Sequence, residues 1–270
     1  MPEPSTSTRP SPLPTTRERA RLHVTGVTKS FSGRTVVDVE DLTLGDHAIE
    51  GLIGPNGAGK TTLMRLITGS LRADSGRIRL TRDGQREVEL SRLSPHKVAR
   101  SGVVKTNQVV TDFDGLTILD SLLLSVTPSR RENPLRLIGE RAAYEEHRAE
   151  IESQLAHFGL DNTRRLAQSA GEKKLVDIIR CLLLKPALLL LDEPTAGLPS
   201  DVTDKVMESV ADLAAGGTAV VIIEHDLDVI WNLCEQVTFM AEGHVVLRGA
   251  PAEIREHKTV IESYLGQGHV

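Results

Sequence analysis

Gly54-Pro55-Asn56-Gly57-Ala58-Gly59-Lys60-Thr61-Thr62 decides the reading of this chain. The stretch fits the spacing of a P-loop, whose backbone N–H groups wrap around phosphate oxygens. Its glycines let the backbone come close and take φ values that a Cβ forbids. Leu52 and Ile53 before it read as a buried strand. Leu63, Leu66 and Ile67 after it are helically spaced, and Gly69 can end that helix. The loop therefore lies at a helix N-terminus, whose partial positive charge adds to the phosphate site. In such a loop Lys60 reaches the β- and γ-phosphates and Thr61 ligates Mg²⁺. An ordinary glycine-rich turn does not account for Lys-Thr-Thr between a strand and a helix. The spacing is also not that of the dinucleotide fingerprint G-x-G-x-x-G.

At 270 residues the chain has the length of one large domain, or of one with subdivisions. Aliphatic residues are plentiful and aromatics scarce, which suits an α/β core. The net charge of −5 argues against nucleic acid as a partner. Cys181 and Cys234 stand far apart in apolar company. They read as reduced core residues rather than as a disulfide or metal ligands, which points to a reducing compartment. No stretch is long enough to span a membrane; the most apolar one, Cys181 to Leu191, is broken by Lys185-Pro186. The N-terminus lacks the apolar centre of a signal peptide.

Residues 1–19 are rich in Pro, Ser and Thr, a composition that predicts a disordered tail. A single domain is expected over 20–266, then a short tail over 267–270. From Leu22 to Leu44 short strands alternate about a Ser32-Gly33 turn. Phe31 stands out among few aromatics, and reads either as a ring that stacks on a nucleotide base or as a core residue. Ser75-Gly76 is expected to be a turn. Arg77 to Leu80 and Glu87 to Leu90 form a hairpin about Asp83-Gly84. Pro95 opens a short helix that runs to about Arg100. Gly102-Val103-Val104 then leads to Lys105-Thr106-Asn107-Gln108, where Gln108 by itself reads as a surface residue. Arg130 to Pro134 is expected to be a charged loop. Tyr144, Ile151, Leu155 and Phe158 mark one face of a helix that Gly159 can end. Ser169 is an N-cap candidate for the helix carrying Leu175, Ile178, Ile179 and Leu182.

Ala187 to Leu191 is a continuous apolar run ending in Asp192-Glu193-Pro194. A strand buried on both faces of a parallel sheet reads this way, and ligands bind at the carboxyl ends of such strands. With a P-loop in the same chain, Asp192 fits a Mg²⁺-coordinating role and Glu193 a water-activating one. The next helix carries Val202, Val206, Val210 and Leu213 and stops at Gly216-Gly217. Thr218 to Ile223 is a second fully buried strand, followed by Glu224-His225-Asp226. His225 is a candidate γ-phosphate sensor. Val237 to Leu247 alternates about a Glu242-Gly243 turn, and two short helices follow.

Together these stretches, from about Leu22 to Leu265, resemble the ATP-binding subunit of an ABC transporter. The P-loop matches Walker A, Leu188 to Glu193 matches Walker B with its catalytic Glu, and His225 matches the switch histidine. Gln108 matches the Q-loop glutamine, Ser169-Ala170-Gly171-Glu172 the signature, and Phe31 the adenine-stacking aromatic. The resemblance implies an α/β P-loop NTPase fold with a RecA-like core sheet, an antiparallel β subdomain and a helical subdomain over roughly 111–180. It implies ATP and Mg²⁺ as ligands. Glu193, His225 and Gln108 would be the catalytic residues, and Thr61, Gln108 and Asp192 would hold the metal. Phe31, the loop from Gly54 to Thr62, Ser169 and Gly171 would bind nucleotide, the last two on the partner's ATP.

Ser94 to Val103, the Lys105 to Gln108 segment, Ile223 to Asp226 and Val260 to Gly266 look more narrowly like the branched-chain amino acid (Liv-type) importer ATPases. What this implies is a motor at the cytoplasmic face of the cell membrane. It would pair head to tail with a second, unlike ATPase, beside two transmembrane permeases and a solute-binding protein. An exporter ATPase, or a soluble ABC ATPase, is the alternative. The chain departs from the family pattern at Asn107, Gln168, Glu172 and Pro199, the last where the D-loop usually has Asp or Asn.

Overall fold

The computed structural model describes residues 19–82, 84–106, 116–126, 137–163 and 169–265. Two sheets organise it. The first is antiparallel and has the order β2-β1-β4-β5. Its strands are β1 (Arg21–Phe31), β2 (Arg34–Leu44), β4 (Ser75–Thr81) and β5 (Val88–Glu89). The second has the order β10-β9-β3-β8-β7-β6. It comprises β3 (Ile49–Ile53), β6 (Val103–Lys105), β7 (Leu188–Asp192), β8 (Ala219–Ile223), β9 (Gln236–Ala241) and β10 (His244–Gly249). Its pairs are parallel except for the β9–β10 hairpin at one edge. This is the P-loop NTPase arrangement expected from the sequence: a mostly parallel core sheet beside an antiparallel one.

The apolar runs read as doubly buried strands are that. All five residues of β7 are buried, and all five of β8. Successive side chains of a strand point to opposite faces. Leu189, Leu191, Val220 and Ile222 accordingly enter a core with the helices α3 (Ile118–Val126), α5 (Ala170–Leu183) and α6 (Ser200–Ala215). Leu188, Leu190, Val221 and Ile223 enter the other core, shared with α1 (Lys60–Ile67), α2 (Pro95–Arg100) and the antiparallel sheet. Each fully buried aliphatic side chain contributes about 1.5–3 kcal/mol relative to exposure. Cys181 and Cys234 are free and buried in the first of these cores. Burial pushes the Cys234 thiol up to about 12.

Two local expectations change. Ser75-Gly76 is not a turn but the start of β4, where the register with β1 shifts between Thr25 and Thr28. Gly76 has φ 84, and a Cβ there would collide with the Gly26 backbone. Its glycine thus serves an irregularity of the ladder, the other common use of Gly within strands. Tyr144 does not share the buried face of α4 (Leu137–His157). It is 41% exposed, whereas Ile151, Leu155 and Phe158 are buried. The helix α7 (Leu227–Leu233), which the sequence reading did not anticipate, follows β8, started by the Asp226 side chain accepting the Asp228 N–H. The helices α8 (Pro251–Glu256) and α9 (Lys258–Leu265) complete the described chain. The expected loop from Arg130 to Pro134 lies outside the described residues.

Candidate active site

The P-loop joins β3 to α1 at the carboxyl end of the core sheet. Two glycines there are sterically required. A Cβ on Gly54 would collide with the Met240 carbonyl, and one on Gly59 would stand 2.5 Å from the Val36 carbonyl oxygen. Gly59, at φ 96, directly precedes α1, so the loop amides and the helix N-terminus face the same space. The loop is braced at both ends. The Gly54 N–H donates to the Tyr264 hydroxyl at 3.0 Å, and the Gly243 N–H donates to the Ala58 carbonyl at 3.1 Å.

Lys60 is buried and folds back across the loop, donating to the carbonyls of Gly54 at 2.6 Å and Pro55 at 3.1 Å. Burial lowers its pKa; the Glu193 and Asp192 carboxylates oppose that shift. A cavity of about 160 Å³ is lined by Val36, Asn56 to Thr62, Glu193 and His225. The fold thus gathers four sequence-distant pieces around one small concavity. A larger cavity, about 560 Å³, opens beside Pro186, Ala187 and Thr218, at the amino ends of β7 and β8. It contains none of these groups. Chemistry rather than volume selects the smaller one.

Asp192 ends β7, and its side chain is fully buried. Its N–H donates to Thr106 Oγ1 at 3.1 Å. Lys105 Nζ stands 2.9 Å from Asp192 Oδ2, within ion-pair range. Among the described residues neither carboxylate oxygen has a partner in hydrogen-bond geometry. Hard oxygen donors so placed, with the Thr61 hydroxyl in the loop opposite, fit Mg²⁺. Glu193 follows in the left-handed region at φ 51, a conformation that costs a non-glycine residue about 1–3 kcal/mol. Its N–H donates to the Ile223 carbonyl at 2.8 Å, which turns the chain off the end of the sheet. The Glu193 carboxylate meets His225 Nε2 at 2.9 Å, and both side chains remain partly exposed to the cavity.

Other expected site residues stand apart. Phe31, 45% exposed at the β1–β2 turn, is not a core residue. The Lys29 ammonium lies 5.5 Å from its ring centroid. Phe31 does not line the P-loop cavity. Ser169 and Gly171 also lie outside that cavity, at the start of α5. The Ser169 hydroxyl accepts the Glu172 N–H at 3.3 Å, the N-cap bond anticipated from the sequence. Gln108 lies outside the described residues. Sequence reasoning gave no role to Lys105, Lys174, Glu224 or Tyr264. None of the four carries a signal along the sequence that points to its partner.

Residues 38–196 match the family model described as ABC transporter. The chain belongs to the ABC transporter family. As a member it is an ATP-binding, ATP-hydrolysing subunit of a transport system. It is 33% identical to the high-affinity branched-chain amino acid transport ATP-binding protein BraF of Pseudomonas aeruginosa, over 92% of this chain and 99% of that one. It is 30% identical to the lipopolysaccharide export system ATP-binding protein LptB of Haemophilus influenzae, over 91% of this chain and 97% of the relative. Among solved structures it is similar to the ADP conformation of an ATP-binding cassette of an ABC transporter. That likeness has TM-score 0.73 and 27% identity, over 93% of this chain and all of the other. Among the described residues no helix is long and apolar enough to cross a membrane.

Proposed function

We propose that this chain is the ATP-driven motor of an importer for branched-chain amino acids or a related small solute. The observation that carries the reading is the match to BraF along nearly the full length of both chains. In this reading two cassettes meet head to tail, each ATP lying between one P-loop and the other subunit's signature. The cassette works at the cytoplasmic face of the membrane beside two permease subunits, with a solute-binding protein in the same system. The domain spans 20–266, with its helical part over roughly 111–180.

The loop amides from Gly54 to Thr62 and the Lys60 ammonium bind the phosphates, and Lys60 exchanges its carbonyl partners for phosphate oxygens. Phe31 stacks on the adenine. Thr61, Asp192 and Gln108 hold Mg²⁺. When bound, Mg²⁺ neutralises charge on the phosphate oxygens. Glu193 accepts a hydrogen bond from the attacking water and orients it towards the γ-phosphate. His225, whose Nε2 already stands 2.9 Å from the Glu193 carboxylate, fixes that carboxylate and contacts the γ-phosphate. Ser169 and Gly171 contact the partner's ATP. Such catalysis is positioning and charge stabilisation more than covalent chemistry.

The likeness to LptB keeps export as the second reading. Vesicles containing the assembled transporter separate the two. With ATP on the cassette side, import predicts accumulation of labelled leucine, isoleucine or valine on the cassette side, dependent on the solute-binding protein. ATP-driven movement of a lipid in the opposite direction, with no amino-acid uptake, would establish export instead.

A further inference from the structure

Lys174 lies one turn into α5, the helix capped by Ser169. Its ammonium donates to two backbone carbonyls, that of Glu193 at 2.8 Å and that of Ala196 at 2.8 Å. The same helix meets the same turn a second time: a Cβ on Gly171 would stand 3.1 Å from the Gly197 carbonyl oxygen. From the opposite side the turn is held by Glu224. Its Oε1 accepts both the N–H and the hydroxyl of Thr195, each at 2.7 Å. Glu224 is buried and directly precedes His225. The turn from Glu193 to Gly197 is therefore clamped between α5 and the end of β8. At its head sits Glu193 in a left-handed conformation that needs support.

We infer that Lys174 is a positioning residue that ties the signature helix to the turn carrying this chain's own Glu193. The inference rests on the roles given above to Glu193, Ser169 and Gly171. Ser169 and Gly171 serve the partner's nucleotide, whereas Glu193 serves this chain's own. A rigid link between them makes the two nucleotide sites mechanically continuous. Movement of α5 as it engages the partner's ATP pulls on the Glu193 and Ala196 carbonyls and shifts the Glu193 carboxylate relative to its water. Two ammonium hydrogen bonds to carbonyls on either side of one turn suit this task. They fix the backbone and leave the Glu193 side chain free for chemistry.

The test compares Lys174→Met, which keeps the stem but loses the donors, with Lys174→Arg, which keeps them. Glu193→Gln serves as the control in the same assembled transporter. Nucleotide affinity and thermal midpoint are measured beside kcat and KM. K174M should lower kcat by about 10–100-fold, the range that a misplacement of about an ångström costs. KM, nucleotide affinity and thermal midpoint should stay near wild type, and K174R should recover most of kcat. Where K174M folds poorly, Lys174→Gln should give the same split between kcat and KM. Wild-type turnover in K174M would overturn the proposal. So would a fall in kcat that tracks lost stability and that K174R does not rescue. Wild-type hydrolysis by E193Q would instead show that the assignment of Glu193 has failed, whatever K174M does.

Discussion

At the scale of single residues, the site depends on groups that hold backbone rather than substrate. Tyr264 illustrates this, because its hydroxyl accepts the N–H of Gly54, the first residue of the P-loop, from 210 positions away. Burial raises its pKa and the Gly54 bond opposes that shift, so the neutral phenol is the form that serves. Tyr264→Phe should keep the ring's packing and leave the Gly54 N–H without its partner. The expected loss is about 1–3 kcal/mol of stability, the cost of an unsatisfied buried donor. Urea denaturation measures it, and an unchanged midpoint would remove Tyr264 from this bracing role. The P-loop itself was legible because its residues are contiguous and their spacing is the mechanism. Lys174, Lys105 and Tyr264 were not, because each acts through a partner set by tertiary folding. A lysine or tyrosine that bonds a distant backbone group looks, along the sequence, like any other.

At the scale of elements, β7 is the member on which the site hangs. It lies between β6 and β8, feeds both cores, ends in Asp192 and leads directly into Glu193, which lines the cavity. Leu190 is fully buried among the residues of the second core. Leu190→Ala should cost about 2–5 kcal/mol, the range for truncating a packed aliphatic side chain. Chemical denaturation reads this directly, and a loss below about 1 kcal/mol would mean that the strand is far less tightly packed. Such strands are legible from composition, since a run like Ala187 to Leu191 has no polar face to present. Other elements were harder to read. The seven residues of α7 are too few to establish a helical period, and their start depends on the Asp226 cap. Gly76 could mark a turn or a bulge, and only the pairing of β4 with β1 decides between them. The face of α4 was legible at Ile151, Leu155 and Phe158, where a core lies opposite. Tyr144, further up the helix, faces solvent.

At the scale of the whole molecule, the proposed head-to-tail pairing has one chain supply half of what hydrolysis needs at each site. Ser169 and Gly171 lie away from the P-loop cavity of their own chain, as a head-to-tail pairing requires. Pro199, which precedes α6 with φ −61, has no N–H and no side-chain carboxylate or amide to offer across an interface. Two copies of this chain would lack that contact twice, whereas a mixed dimer would lack it once. A bond of this kind is worth about 1 kcal/mol, enough to bias turnover. The expected outcome is a transporter holding this chain and a second, unlike ATPase, identified by the masses of the purified subunits. A fully active assembly with two copies of this chain would contradict it. The central claim concerns Glu193, the carboxylate that the fold turns into the cavity beside His225. Its most direct test is Glu193→Gln, with ATP turnover and oligomeric state measured on the same preparation. The account predicts that turnover falls by about 10²–10⁴-fold while ATP still binds and the cassettes remain locked as an ATP-bound dimer. Hydrolysis within a few-fold of wild type would contradict it.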